Sequence, residues 1–344
     1  MSNRQRQRPR FATAALVVGA VALLLGGGYD RSVAAPVAPT AGAKKTVGFV
    51  CAFFANAFCE TILRGEKEEA AKLHANVQIV FEAPTQDTAE YQVPILSAML
   101  ARHPDAMITD VTDPREEVPA LQRFKRAGIP VIEVDTAVAD PAVLDSFIGT
   151  HVVLGGELAG KSVGQHLGGH GLVGIVDLAP GNVTTKKRAQ GFIAYLHAHD
   201  PGIKILPVQY AGTNDPLSAE KVTASILVAH PGIAAFFGTT GLLASGVGRA
   251  VMNAGKKGKV FVQSFDAPPE VVKLLKQGVI SSTEVQEPLI MGRLAMHYAW
   301  DEMTGRKSAV PKQVLLPTIT ATTASADDPK IAVYYYIPTV AAKK

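Results

Sequence analysis

Catalytic signatures are missing from this chain. It contains no G-x-S-x-G elbow, no H-E-x-x-H pair and no cysteine–histidine arrangement supported by a third group. No recognisable site for enzymatic chemistry is left. Cysteine is scarce, with Cys51 and Cys59 alone, and the nine histidines do not make up for it. Gly168 and Gly169 separate His166 from His170, and His197 and His199 close a predicted helix. Neither pair has the cysteine or carboxylate companions that a zinc site requires. No cofactor and no metal are expected.

Excess positive charge is also lacking. The formal net charge is +4, and Arg4, Arg6, Arg8 and Arg10 account for all of it. The neutral remainder offers no basic patch and no helix-turn-helix pattern for nucleic acid. Nor is there a run long enough for an ordinary membrane span, which takes about 20 apolar residues. The apolar run Phe11–Leu25 follows the arginines directly and has the length of a signal-peptide core. Cleavage could follow Ala35 or, better matched to small-x-small, Ala43 in Ala41–Gly42–Ala43. An uncleaved anchor is the structural alternative. No cysteine closely follows the run, so no lipid attachment is expected. The chain reads as exported.

Export permits a disulfide between Cys51 and Cys59, eight positions apart. One cysteine ends a predicted strand and the other begins the helix after it, so spacing does not establish reach. The residues favour two small buried thiols.

What the chain has in quantity is apolar sequence, 47% of 344 residues, enough for a large core in two domains. The organising stretch is 46–73. Val47–Val50 is an apolar strand, and Phe53, Phe54 and Asn56 lie in a turn-like segment beyond it. Ile62, Ala70 and Leu73 then recur at helical spacing. In open α/β sheets, ligands occupy the crevice outside the carboxyl ends of strands. An aromatic–polar loop at that place suits a small polar ligand with an apolar face, although Phe53, Phe54 and Phe58 could equally be core.

The strand–helix rhythm continues to about residue 304. Strands are predicted at 77–81, 106–109, 131–135, 146–149, 172–178, 203–210 (broken by Pro207), 233–238, 260–266 and 281–286. Between them lie helices at 89–101 (interrupted by Pro94), 118–127, 155–167, 184–199, 219–229, 242–253, 268–277 and 289–304. The strands are apolar nearly throughout, as when helices cover both faces of a parallel sheet. Residues beyond Lys312 read as irregular.

Gly155–Ser162, GGELAGKS, satisfies the phosphate-loop pattern. It continues as an amphipathic helix in an exported chain, so its small residues read as close packing. Asp135 and Asp266 each close a strand, in equivalent places of the two halves, and read as acceptors for ligand hydroxyls rather than helix caps. Lys186, Lys187 and Arg188 begin a helix, and such a run taken alone is a solvated face.

Several segments together resemble the type I, ribose-binding-protein-like solute-binding proteins of ABC sugar importers. They are VGFV and FFANAF within 47–58, Gly65, EAAKL at 69–73, GIPVIEVD at 128–135 and IGTHVVLGGELAG at 148–160. RAQGF at 188–192, VFVQSFD at 260–266 and the Gln286 region complete the set. The resemblance implies two Rossmann-like lobes with parallel sheets, joined by a three-crossover hinge. The first lobe would be 44–149 plus 287–316, and the second 150–286 plus 317–344, with 1–43 as signal peptide and linker. Asn56 and Phe58 match a polar contact and a stacking aromatic. Asp135 and Asp266 match acids that take sugar hydroxyls, Lys186 a position usually arginine, and Gln286 the hinge glutamine. Thr136 stands where the family has arginine, and Thr239-Thr240-Gly241 where an Asn-Asp pair often follows the strand. Ala52 and Cys59 replace residues usually polar and aromatic. Lysine cannot imitate the arginine fork that grips adjacent hydroxyls, so these departures suit a smaller, less hydroxylated or partly apolar ligand.

The expected function is a periplasmic or secreted, monomeric, non-enzymatic binding protein that delivers a sugar-like ligand to an ABC permease. The expected ligand set is Phe53, Phe54, Asn56, Phe58, Asp135, Thr136, Lys186, Thr240, Asp266 and Gln286. A sensory protein presenting a non-sugar metabolite to a membrane receptor is the competing reading.

Overall fold

The computed structural model of the chain describes residues 44–54 and 56–336. The expected signal segment and both cleavage sites lie outside the described residues.

The first lobe begins with strand β1 (Lys45–Val50) and helix α1 (Ala57–Lys72), then β2 (Val77–Glu82), α2 (Ala89–Ala101), β3 (Ala106–Thr109), α3 (Val118–Arg126), β4 (Val131–Val134) and β5 (Ser146–Thr150). The chain then enters α4 (Val152–Leu167), β6 (Gly171–Asp177), α5 (Val183–His199), β7 (Ile203–Ile205), β8 (Gln209–Tyr210) and α6 (Pro216–Ala229). It goes on through β9 (Ala235–Gly238), α7 (Gly241–Asn253), β10 (Phe261–Phe265), α8 (Pro269–Lys276) and β11 (Ser282–Val285). The last elements are α9 (Pro288–Met303), β12 (Gln313–Leu316), β13 (Ile319–Thr322) and α10 (Pro329–Ala332).

Two sheets result. One has the order β12-β5-β4-β3-β1-β2, and every pairing in it is parallel. The other has the order β13-β11-β10-β9-β6-β7, with β8 also beside β6. It is parallel apart from the antiparallel edge strand β13. The chain passes between the sheets three times: from β5 to α4, from β11 to α9 and from β12 to β13.

Apolar residues on both faces of each strand explain the covering helices. Phe49, Ile108, Ile132, Val134 and Ile148 are fully buried in the first sheet, and Val173, Ile175, Phe237, Val262 and Phe265 in the second. Each such side chain contributes about 1.5–3 kcal/mol. Helices are drawn tightly together where glycine replaces a side chain. A Cβ on Gly65 would lie 2.2 Å from the Leu289 carbonyl oxygen, and one on Gly292 would lie 2.0 Å from that of Ile62. Reciprocal glycines thus set the α1–α9 contact.

Two sequence expectations are corrected. Pro94 sits inside α2 without interrupting it, at the loss of one amide donor. The segment after Lys312 is not irregular: β12 and β13 add an edge strand to each sheet. The break expected at Pro207 is present: residues 203–210 form two short strands on either side of it.

Candidate ligand-binding site

Asp135 and Asp266 follow the carboxyl ends of β4 and β10. Both hold the left-handed backbone, with φ of 62° and 74°. The other non-glycine residues with positive φ among those described, His74 and His103, lie just beyond helix ends, where this conformation is ordinary. At a strand end it is strained, though aspartate is among the non-glycine residues that tolerate it. Each acid is fixed by its own amide: Asp135 donates to the Ile148 carbonyl of β5, and Asp266 to the Glu284 carbonyl of β11. The two halves therefore repeat one device, an acid turned out of the sheet over its carboxyl edge.

The acids sense each other. Burial raises Asp135 to about 6; Asp266 and Asp87 push the same way, and the Arg188 guanidinium opposes them. Asp110 of the first lobe interacts electrostatically with Asp135. Burial pushes its carboxyl well above the ordinary value, with Asp135 and Asp87 adding to the effect, against a hydrogen bond from Thr136. Thr136 thus faces a buried carboxyl of its own lobe.

The loop after β1 is tied at both ends. Cys51 and Cys59 form a disulfide, with Cα atoms 6.0 Å apart, which corrects the expectation of two thiols. Among the described residues, Cys51, Cys59 and Asp110 are the grouping of metal-type ligands, and its sulfurs are bonded to each other. Asn56 caps α1, its side-chain oxygen accepting from the Phe58 amide at 2.9 Å. That oxygen is already engaged, so a ligand would meet the amide's nitrogen. Phe58 is buried, while Phe53 and Phe54 are 36% and 58% exposed, on the rim rather than in the core. Gln92, which sequence reasoning missed, binds the two strand ends together. Its amide nitrogen donates to the carbonyls of Cys51 (3.2 Å) and Asp110 (2.7 Å), and its oxygen accepts from the Thr112 amide (2.8 Å).

In the second lobe the buried cation is Arg188, not Lys186. Lys186 is exposed on α5, whereas Arg188 is 3% exposed. The Arg188 guanidinium lies 3.9 Å over the Phe265 ring and donates to the Thr239 carbonyl at 3.1 Å. It also stands 3.4 Å from Asp266 Oδ2. Close packing of α4 on α5 seats it: a Cβ on Gly156 would lie 2.1 Å from the Arg188 carbonyl oxygen, and one on Gly191 2.1 Å from that of Val153. The phosphate-loop pattern is therefore a helix contact. Thr240 caps α7 and donates to Asn214 at 2.8 Å, while Thr239 donates to Asp177 at 2.7 Å. Their hydroxyls are engaged within the lobe.

Gln286 links two of the crossings. Its amide nitrogen donates to Asp266 Oδ1 at 2.6 Å, and its oxygen accepts from the Thr150 hydroxyl at 2.6 Å. Thr150 ends β5 at the first crossing, and Gln286 lies at the second, between β11 and α9. Tyr336, from the tail, also reaches this place: its hydroxyl donates to Asp266 Oδ1 at 3.1 Å. Its ring packs edge-on to Phe58, with centroids 5.4 Å apart. The structure thus brings together Phe58, Asp135, Asp266 and Gln286, with Asn56 and Thr136 adjoining. It leaves Lys186 outside and adds Arg188 and Tyr336.

The family profile described as periplasmic binding protein domain matches residues 47–307. The ribose import binding protein of Escherichia coli (strain K12) is 28% identical over 276 residues, 80% of this chain and 90% of that protein. The ribose import binding protein of Bacillus subtilis (strain 168) is 26% identical over 272 residues, 79% of this chain and 85% of that protein. Among solved structures, an ABC transporter solute-binding protein from Agrobacterium vitis, bound with α-D-tagatopyranose, superposes with a TM-score of 0.80 at 30% identity. The match covers 86% of this chain and 100% of that one. One from Actinobacillus succinogenes with bound D-allose gives a TM-score of 0.76 at 26% identity, covering 83% and 100%. The two-lobed α/β architecture with mostly parallel sheets is the type I form of these proteins.

Proposed function

The chain belongs to the periplasmic binding protein family, and from that premise we propose that it is an exported, monomeric solute-binding protein. It binds a sugar between its lobes and delivers it to an ABC permease, without chemistry. The observation that carries this reading is the pair Asp135 and Asp266, one strained acid at the carboxyl edge of each sheet. Asp135 orients a ligand hydroxyl from the first lobe, and Phe58 covers the ligand's apolar face. Asn56 and Thr136 border them. On the second lobe, Asp266 with Gln286 and Arg188 forms the opposing polar wall, and Thr240 holds the loop beside it. Phe53 and Phe54 flank the entrance. Lys186 stands outside this set.

A ligand touching both lobes stabilises the closed arrangement by its differential affinity, and the three crossings are the hinge. The related proteins named above are described as import binding proteins or transporter solute-binding proteins, which speaks for delivery over sensing. A thermal-shift screen against pentoses, hexoses, deoxysugars, polyols and non-sugar metabolites tests the reading. Ligand at 100 times its dissociation constant adds about 2.7 kcal/mol, enough for a rise of a few degrees. A rise with a sugar is expected; rises with non-sugars alone would refute the ligand class.

A further inference from the structure

The tail after β13 is built, residue by residue, toward the ligand site. The Thr322 side chain accepts from the Ser325 amide and the Ser325 side chain from the Thr322 amide, a reciprocal cap that turns the chain. Asp328 caps α10, and Thr323 donates its amide to the Ser281 carbonyl beside β11. Tyr335 is buried with its hydroxyl on the Ala326 carbonyl at 3.1 Å. Tyr336 then donates its own amide to the carbonyl of Ala267, the residue after the strained Asp266. That contact delivers a phenol, 3% exposed, onto Asp266 from one side and onto Phe58 from the other. Asp266 belongs to the second lobe and Phe58 to the first.

The consequence lies in the hydrogen bonding of Asp266. A carboxylate accepts in about four directions. Oδ1 takes the Gln286 amide at 2.6 Å and the Tyr336 hydroxyl at 3.1 Å. Oδ2 faces the Arg188 guanidinium and the Gly241 amide, each at 3.4 Å. The chain itself therefore occupies the acceptor directions of this acid. A ligand hydroxyl directed at Asp266 would meet the Tyr336 phenol there, and the Tyr336 ring edge against Phe58 narrows the space beside it.

We infer that Tyr336 is a specificity-determining residue of the ligand site. It takes over the ligand contact from Asp266 and shortens the cleft beside Phe58. The site then accepts a smaller or less hydroxylated sugar than Asp266 alone would. This rests on the sugar-binding reading and refines it. Tyr336 is not among the residues that the sequence singled out.

The test is calorimetric titration of the wild type, Tyr336→Phe and Tyr336→Ala against one panel of pentoses, hexoses, their deoxy counterparts and non-sugar metabolites. Tyr336→Phe keeps the ring and clears one acceptor direction on Asp266. It is expected to raise the affinity for a fully hydroxylated sugar at least tenfold relative to its deoxy counterpart. Tyr336→Ala also opens the volume and is expected to favour hexoses over pentoses by a similar factor. Ligand rankings that stay within twofold of wild type in both folded variants would overturn the inference. If Tyr336→Ala fails to fold, Tyr336→Phe decides alone, since it removes a single oxygen. Hits confined to non-sugars would refute the sugar reading, and the change of ranking between variants would still decide the role of Tyr336.

Discussion

Asp135 and Asp266 are the same residue placed twice: each follows a central strand, turns left-handed and donates its amide to the next strand's carbonyl. Left-handed aspartate carries strain of order 1–2 kcal/mol, and such strain collects where function demands a particular side-chain direction. The same device therefore stands at the carboxyl edge of each sheet. Among the described residues, the side chains of Arg188, Gln286 and Tyr336 hydrogen-bond to the Asp266 carboxylate. On the proposed function, Asp135 is the acid that takes the ligand hydroxyl.

Replacing that acid separates binding from folding. Asp135→Asn keeps the size and the tolerance for positive φ but removes the charge. A hydrogen bond to a charged group contributes about 1.5–3 kcal/mol, so sugar affinity should fall roughly 10- to 150-fold, with the melting temperature held or raised. Retained affinity, read by calorimetry on the folded variant, would remove Asp135 from the site.

The disulfide was not legible in the sequence, and the reason is geometric. Spacing of eight residues does not reveal that the loop bends back far enough to bring the Cα atoms to 6.0 Å. The fold was legible, because strands apolar on both faces alternate with helices over most of the chain. So were the two acids, from their equivalent places at strand ends. Arg188 was hidden inside a basic run that looked solvated. The phase of α5 gives it away: Thr185, Arg188, Ala189, Phe192 and Leu196 share the buried face, and Lys186 lies away from it. Tyr336 carried no signal, since its position follows from a tail whose path only tertiary contacts define.

Closing a short loop by a cross-link stabilises by about 2.5 kcal/mol in the chain-entropy account. Reduction, or the double variant Cys51→Ser and Cys59→Ser, should therefore lower the melting temperature by several degrees. It should also weaken sugar binding, because the loop that carries Asn56 and leads to Phe58 loses its tie. An unchanged melting temperature under reductant would contradict this.

Glu66 is fully buried on α1, and neither carboxylate oxygen has a hydrogen-bond partner. Burial holds its carboxyl well above the ordinary 4.5. Burial likewise raises Glu117 and Glu284 to about 7 each. The folded state binds these protons more tightly than the unfolded chain does. Their share of stability is therefore present below about pH 4.5 and lost as pH rises toward 7 and beyond. Glu66→Gln should raise the melting temperature at pH 7.5 and leave it nearly unchanged at pH 4.5. Equal effects at both values would show that the carboxyl is not protonated in the fold.

The glycine contact between α1 and α9 is testable against an internal control. Gly292→Ala places a methyl group 2.0 Å from the Ile62 carbonyl oxygen and forces the helices apart. Overpacking of this kind costs about 1–3 kcal/mol. Gly181→Ala meets nothing within 4 Å and should be neutral. Urea unfolding of the two variants should separate them clearly; equal midpoints would refute the close-approach argument.

The central claim is that a sugar lies between the lobes with a hydroxyl on Asp135 and its apolar face on Phe58. A crystal structure of the mature protein with the sugar that gives the largest thermal shift tests it most directly. A sugar oxygen is expected at hydrogen-bonding distance from the Asp135 carboxylate, with groups of the second lobe closing the other side. A ligand bound away from Asp135, or touching one lobe alone, would contradict it.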